Sequence, residues 1–89
     1  MKLEDIEKLL IDVACDVQKM SGREVVNLTS ESRPLLDMPG FDSLNGVEAT
    51  VDALNRLKLD LDFIDIFADE EKALTIREAA TRILGCMPK

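Results

Sequence analysis

Eighty-nine residues that are 46% apolar and 33% charged describe one small folded domain, with room for a single core and little room for a deep active-site cavity. A formal net charge of −7 argues against nucleic acid and anionic membrane as partners, since phosphate binding needs clustered Lys and Arg, and it favours a partner with a basic patch. The chain has no histidine, tryptophan or tyrosine, which removes Ser-His-Asp triads, Cys-His pairs and ordinary zinc sites and makes intrinsic catalysis a poor expectation.

The first element is an amphipathic helix over about residues 3–20. Leu3, Ile6, Leu10, Val13, Val17 and Met20 recur at steps of three and four, Leu9 and Ala14 widen the stripe, and Glu4, Asp5, Glu7, Lys8 and Asp12 take the other faces. Acidic residues crowd the first turns, Lys19 sits in the last, and Ser21-Gly22 supplies the stop. The opening "MKLEDIEKLL" is too acidic for a signal peptide, and no apolar run reaches the roughly 18–20 residues of a membrane span. A cytoplasmic location without membrane insertion is therefore expected. Cys15 and Cys86 fall in different predicted helices without metal-type spacing, which predicts a buried, reduced thiol at Cys15 and an exposed one at Cys86.

Residues 22–42 show no sustained period and collect Asn27, Thr29, Ser30, Ser32, Pro34, Pro39 and Gly40. Val25, Val26, Leu28, Leu35, Leu36 and Met38 are too apolar for disorder. This segment is expected to lie across the helices as a long loop that buries them, with a short helical turn near 30–36.

A second long helix is predicted from Ser43 to Leu57, with Leu44, Val47, Val51, Leu54 and Leu57 as its apolar stripe. Asn45, Glu48, Asp52 and Asn55 would face outward, and either Asp42 or Ser43 is the natural N-cap. Alternation of Leu59 and Leu61 with charged residues suggests an extended connector to about 61. Phe63, Ile66 and Phe67 then suggest a short helix over 62–68, and "ADEEKAL" a further turn. Asp60, Asp62 and Asp65 lack the glycine and terminal glutamate of a calcium loop, so no metal site is expected. Thr75 and Glu78 form a capping box that opens a last helix over about 76–84, with Gly85 as its stop and Pro88 beyond.

The serine at the junction, in "PLLDMPGFDSLNGVEATVDALNRL", is on its own no more than a helix cap. Placed at the start of the second long helix of an acidic, histidine-free chain of this size, it resembles the acyl carrier protein family. The resemblance rests on Leu36 and Asp37, Gly40, Asp42-Ser43-Leu44, Val47-Glu48 and Leu74-Thr75-Ile76, and it extends over nearly the whole chain. It implies an all-α fold, a small four-helix bundle of acyl-carrier type with a long first loop and a short third helix.

It also implies a function that is not enzymatic: 4′-phosphopantetheine attached covalently to Ser43 by a phosphopantetheinyl transferase that takes it from coenzyme A. The thiol of that arm would carry acyl groups as thioesters to enzymes of fatty acid, lipid or polyketide-type synthesis. Asp42 would aid recognition by the transferase, and Leu44 would pack the site and contact partners. Val47, Glu48 and Asp52 complete the expected docking face, on which Glu48 and Asp52 would steer acyl-transferring or synthase enzymes with basic docking patches. A monomer is expected. Asn45, Gly46 (a weak helix former expected to loosen the first turn), Pro39 and the long "LDLDFIDIFA" depart from the family's pattern and point to a specialised rather than a housekeeping carrier. The apolar surplus of Leu59, Leu61, Phe63, Ile64, Ile66 and Phe67 predicts shelter for an acyl chain between the second long helix and residues 59–76. The alternative is an unmodified, acidic helical interaction or regulatory protein.

Overall fold

The computed structural model describes residues 2–87 and contains, among them, four helices and one two-stranded hairpin. Helix α1 spans Leu3–Met20, as the apolar period predicts. The Lys2 amide donates to Asp5 Oδ2 over 3.1 Å at its start, and beyond its end Gly22 takes a left-handed φ of 71°. Ile6, Leu10, Val13, Ala14 and Val17 are buried, but Met20, expected to close the stripe, is 89% exposed. Gln18 is fully buried instead. Its Nε2 donates to the Glu24 and Pro39 carbonyls, over 3.0 and 2.6 Å, so the end of α1 holds backbone rather than apolar side chains.

The long loop does pack on the body of the protein. Met38 and Phe41 are buried, and Val26, Leu28 and Leu35 pack partly buried against the core. Val25 and Leu36, expected inside, are exposed. The helical turn sits slightly later than the expected 30–36, as α2 over Pro34–Asp37. A buried Pro34 opens it, and Asp37 Oδ2 accepts from the Arg33 amide over 2.7 Å. The amides of Ile76 and Arg77 donate to Ser32 and Ser30 carbonyls over 2.9 and 2.8 Å, tying the loop to the start of the last helix.

Helix α3 spans Ser43–Leu57, with Asp42 as its N-cap. It ends with Lys58 in the left-handed conformation, the Leu59 amide reaching back to the Leu54 carbonyl over 3.0 Å. Its buried face agrees with the Leu and Val spacing only toward its C-terminal end, where Leu54 is buried and Leu57 packs partly buried against the core. Asn45, Gly46, Ala49, Thr50, Ala53 and Leu54 turn inward, while Leu44 is 65% and Val51 54% exposed. Small residues let α3 approach α1 closely, and interaxial distance depends on the side chains at the contact.

The short helix expected at 62–68 does not form. Residues 59–67 are irregular and lead into a hairpin of β1 (Ala68–Asp69) and β2 (Lys72–Ala73), antiparallel, with Ala68 opposite Ala73. The all-α expectation thus becomes a mostly helical fold with one tiny strand pair. Side chains of α3, of the last helix and of the connector itself satisfy backbone groups that a helix would have paired internally. The Ile66 amide donates to Thr50 Oγ1 (3.0 Å) and the Phe67 amide to Asp65 Oδ1 (2.9 Å). Arg82 Nη1 serves the carbonyls of Asp65, Ile66 and Ala68, the last over 2.8 Å, and its guanidinium stacks 4.9 Å above the Phe63 ring.

Helix α4 spans Ile76–Cys86. The capping box is formed: the Glu78 amide donates to Thr75 Oγ1 (3.0 Å) and the Thr75 amide to Glu78 Oε1 (2.9 Å). Gly85 does not end the helix, which continues one residue further; Pro88 lies outside the described residues. The core joins α1, α3 and α4 (Ile76, Ala79, Ala80, Ile83) to Met38, Phe41, Ile66 and Phe67 from the connections. Phe41 and Phe67 meet edge to face with centroids 6.1 Å apart. No described helix is long and apolar enough to cross a membrane.

Candidate functional site

Ser43 is the first residue of α3 and is exposed. The chain arrives there from Phe41, buried in the core, so the junction is anchored one residue before the cap. Asp42 Oδ1 accepts from the Asn45 amide over 3.1 Å, and Asn45 Oδ1 accepts in return from the Asp42 amide over 3.4 Å. This reciprocal cap explains why Asn45, expected on the outer stripe, is only 6% exposed. Its Oδ1 also accepts from Arg23 Nη1, which places a guanidinium on the first turn of α3. Gly40 makes room for that arginine: its φ is 73°, and a Cβ there would lie 2.8 Å from Arg23 Nε.

The result is a serine at a fixed helix start. Among the described residues the Ser43 and Leu44 amides donate to no protein acceptor, as the first turn of a helix leaves them. Free amides, the positive end of α3 and Arg23 all favour an anion on this turn. An exposed hydroxyl carrying a phosphodiester fits that donor set. No side chain among the described residues hydrogen-bonds the Ser43 hydroxyl, so a displacement there draws its activating base from elsewhere.

Leu44, Val47, Glu48 and Asp52 follow on the same helix. Leu44 and Glu48 are exposed, whereas Val47 and Asp52 are half-buried. Leu44 and Val51, counted as core by spacing, are instead an exposed apolar pair around Glu48. The two acidic residues expected to steer partners differ. Glu48 has no ion-pair partner among the described residues, while Asp52 takes Arg56 with both oxygens at 3.1 Å. Arg56 also reaches Asp16 on α1 over 2.8 Å, so Asp52 belongs to a bridge between helices. Hydrogen bonds to both carboxylates raise the Arg56 pKa.

On the core side of α3, Gly46 meets Asp65. A Cβ at Gly46 would lie 2.6 Å from Asp65 Oδ2, so a larger residue there would have to push the Asp65 carboxyl aside. Thr50 Oγ1, one turn on and fully buried, donates to the Gly46 carbonyl over 2.7 Å while it holds the Ile66 amide. Burial pushes the Asp65 carboxyl above its ordinary range, a shift the Phe67 amide and the Arg82 charge partly offset.

Sequence reasoning named Ser43, Asp42, Leu44, Val47, Glu48 and Asp52, and it did not single out Gln18, Arg23 or Thr50, which hold the surrounding backbone or the cap. Of these only Arg23 carried a signal, as an isolated cation beside Gly22 in an acidic chain. Cys15 is half-buried, its thiol pushed up by burial, and Cys86 is exposed. No three His, Cys, Asp or Glu side chains converge among the described residues. Comparison with protein-family models, curated proteins and solved structures returns no match.

Proposed function

We propose that this chain is a carrier of acyl-carrier-protein type, a four-helix bundle in which the short helix precedes α3 rather than following it, modified with 4′-phosphopantetheine on Ser43. The observation that carries the reading is the exposed Ser43 hydroxyl at the first position of a 15-residue helix, with two unpaired amides on its turn and a cap fixed by Asp42 and Asn45. The arm supplies a thiol that holds acyl groups as thioesters. The chain itself supplies an accessible hydroxyl, a rigid base for the arm and a positive helix end for its phosphodiester.

A phosphopantetheinyl transferase provides the base that this site lacks, and the protein then serves acyl-transferring or synthase enzymes. Exposed Leu44 and Val51 around Glu48 suit a partner surface that combines an apolar socket with basic residues. Glu48 is the steering charge, and Asp52 contributes less because Arg56 neutralises it.

The test is intact mass after incubation with coenzyme A and a broad-specificity phosphopantetheinyl transferase. One phosphopantetheine per chain is expected, and Ser43→Ala is expected to abolish it with helical circular dichroism unchanged. Addition at another residue, or none with several transferases, overturns the proposal and leaves an unmodified acidic interaction protein.

A further inference from the structure

The route from Ser43 into the core is closed by polar groups. Ser43, Gly46 and Thr50 stand at i, i+3 and i+7, one stripe of α3. Along that stripe the space a side chain at Gly46 would fill holds the Asp65 carboxylate, and Thr50 is bonded to the Ile66 amide. Asp65 is fastened in turn by the Phe67 amide, and Arg82 grips the carbonyls of residues 65, 66 and 68. The two deepest apolar residues of the connector already fill the core: Ile66 and Phe67 are fully buried, Leu59, Leu61 and Phe63 are half-buried, and Ile64 is 76% exposed, away from it. No cavity opens among the described residues.

We infer that this chain does not shelter an aliphatic cargo: the contact of Asp65 with Gly46 and the Thr50–Ile66 bond latch residues 63–67 onto α3, and the cargo is a short or polar acyl group held outside the helices. This rests on the carrier reading above. An alkyl chain that followed the stripe from Ser43 would displace a half-buried carboxylate, strip the Ile66 and Phe67 amides of their acceptors and leave both groups facing hydrocarbon. A short acyl group, or one bearing hydroxyl or amino substituents, loses nothing by remaining in water at the arm's end. The residues that close the route are Thr50 and Asp65, and Gly46 is the position that admits the carboxylate.

The test loads the full chain from a series of acyl-coenzyme A donors, two to twelve carbons long. The transferase joins the acylated phosphopantetheine to Ser43 Oγ and releases the nucleotide part of coenzyme A. Melting temperature is expected to be level across the series, and the Ile66 and Phe67 amide resonances are expected to stay in place. A sheltered chain would raise the melting temperature by roughly 5–10 °C for each added pair of buried methylenes. The variant Thr50→Val with Asp65→Ala opens the latch and is expected to make melting temperature rise with chain length. If that variant does not fold, the amide resonances of the unaltered protein decide the matter. A wild-type melting temperature that climbs with chain length, with shifts at Ile66 and Phe67, overturns the inference and leaves the carrier reading intact. Failure of the transferase to load any donor strikes the carrier reading instead.

Discussion

Two long connections flank α3; hydrogen bonds hold the backbone of both, and they differ in how deeply their apolar side chains are buried. Residues 22–42 run from α1 to the serine and are fastened by backbone: Gln18 takes two of their carbonyls, and amides of α4 donate to two more. Few of their side chains are deeply buried, and Leu36 and Val25 stay outside. Residues 58–75 leave α3 with their backbone likewise held, by Thr50, Asp65 and Arg82, and they also put the fully buried Ile66 and Phe67 into the core. The first connection is a surface loop that presents a residue. The second is a piece of the core that happens not to be helical. The difference shows how chain of similar irregularity serves two ends, according to how deeply its apolar side chains enter the body of the protein.

Phe67→Ala gives the largest expected effect. Phe67 is fully buried and meets Phe41 edge to face, so its truncation is expected to cost about 3–5 kcal/mol in denaturant unfolding. A cost near that of an exposed residue would mean that the second connection is no part of the core.

Gln18→Leu comes next and sharpens the first half of the comparison. It removes the donor from the Glu24 and Pro39 carbonyls, at an expected cost of roughly 1–3 kcal/mol. Its own Oε1 is buried without a hydrogen-bond partner, so part of the loss is returned. Amide exchange is expected to accelerate in 38–46 and to stay slow in 65–68. Equal acceleration in both segments would show that the two connections are held as one unit.

Asp65→Asn is the smallest and reads the second connection through pH. Burial raises the Asp65 carboxyl above its ordinary 3.8, so the folded chain binds this proton more tightly than the unfolded chain does. The stability from this group is therefore fully present below the unfolded value and lost as pH rises through the folded one. The asparagine variant is expected to melt slightly higher than the unaltered chain at neutral pH, with the gap closing in acid as the carboxyl becomes neutral. A gap that widens in acid would mean that Phe67 and Arg82 outweigh burial.

Much of the helical framework was legible. The bounds of α1 and α3 follow from apolar period, from Ser21-Gly22 and from Asp42-Ser43, and the start of α4 follows from Thr75 and Glu78. These signals are local: caps and helix periods act within a turn or two of chain. The exposed serine at the head of α3 was legible for the same reason. The inward face of α3 was not, because Leu44, Val47 and Val51 outweigh Gly46, Ala49 and Ala53 in any count of apolar spacing.

What the sequence by itself determined, then, is where the long helices lie and which residue stands at the head of α3. What only the tertiary structure decided is which way α3 turns, how 62–68 is held without being a helix, and that Asp52 is tied to Arg56 while Glu48 is free of such a pair. Those outcomes depend on groups far apart in the chain. Arg82 meets carbonyls 14 to 17 residues before it, and Gln18 meets one 21 residues after it. A helix forms from its own hydrogen bonds, but the face it buries is set by the surfaces other segments bring to it. Here a small-residue face allowed α1 and residues 63–67 to come close, and Leu44 and Val51 were left in water.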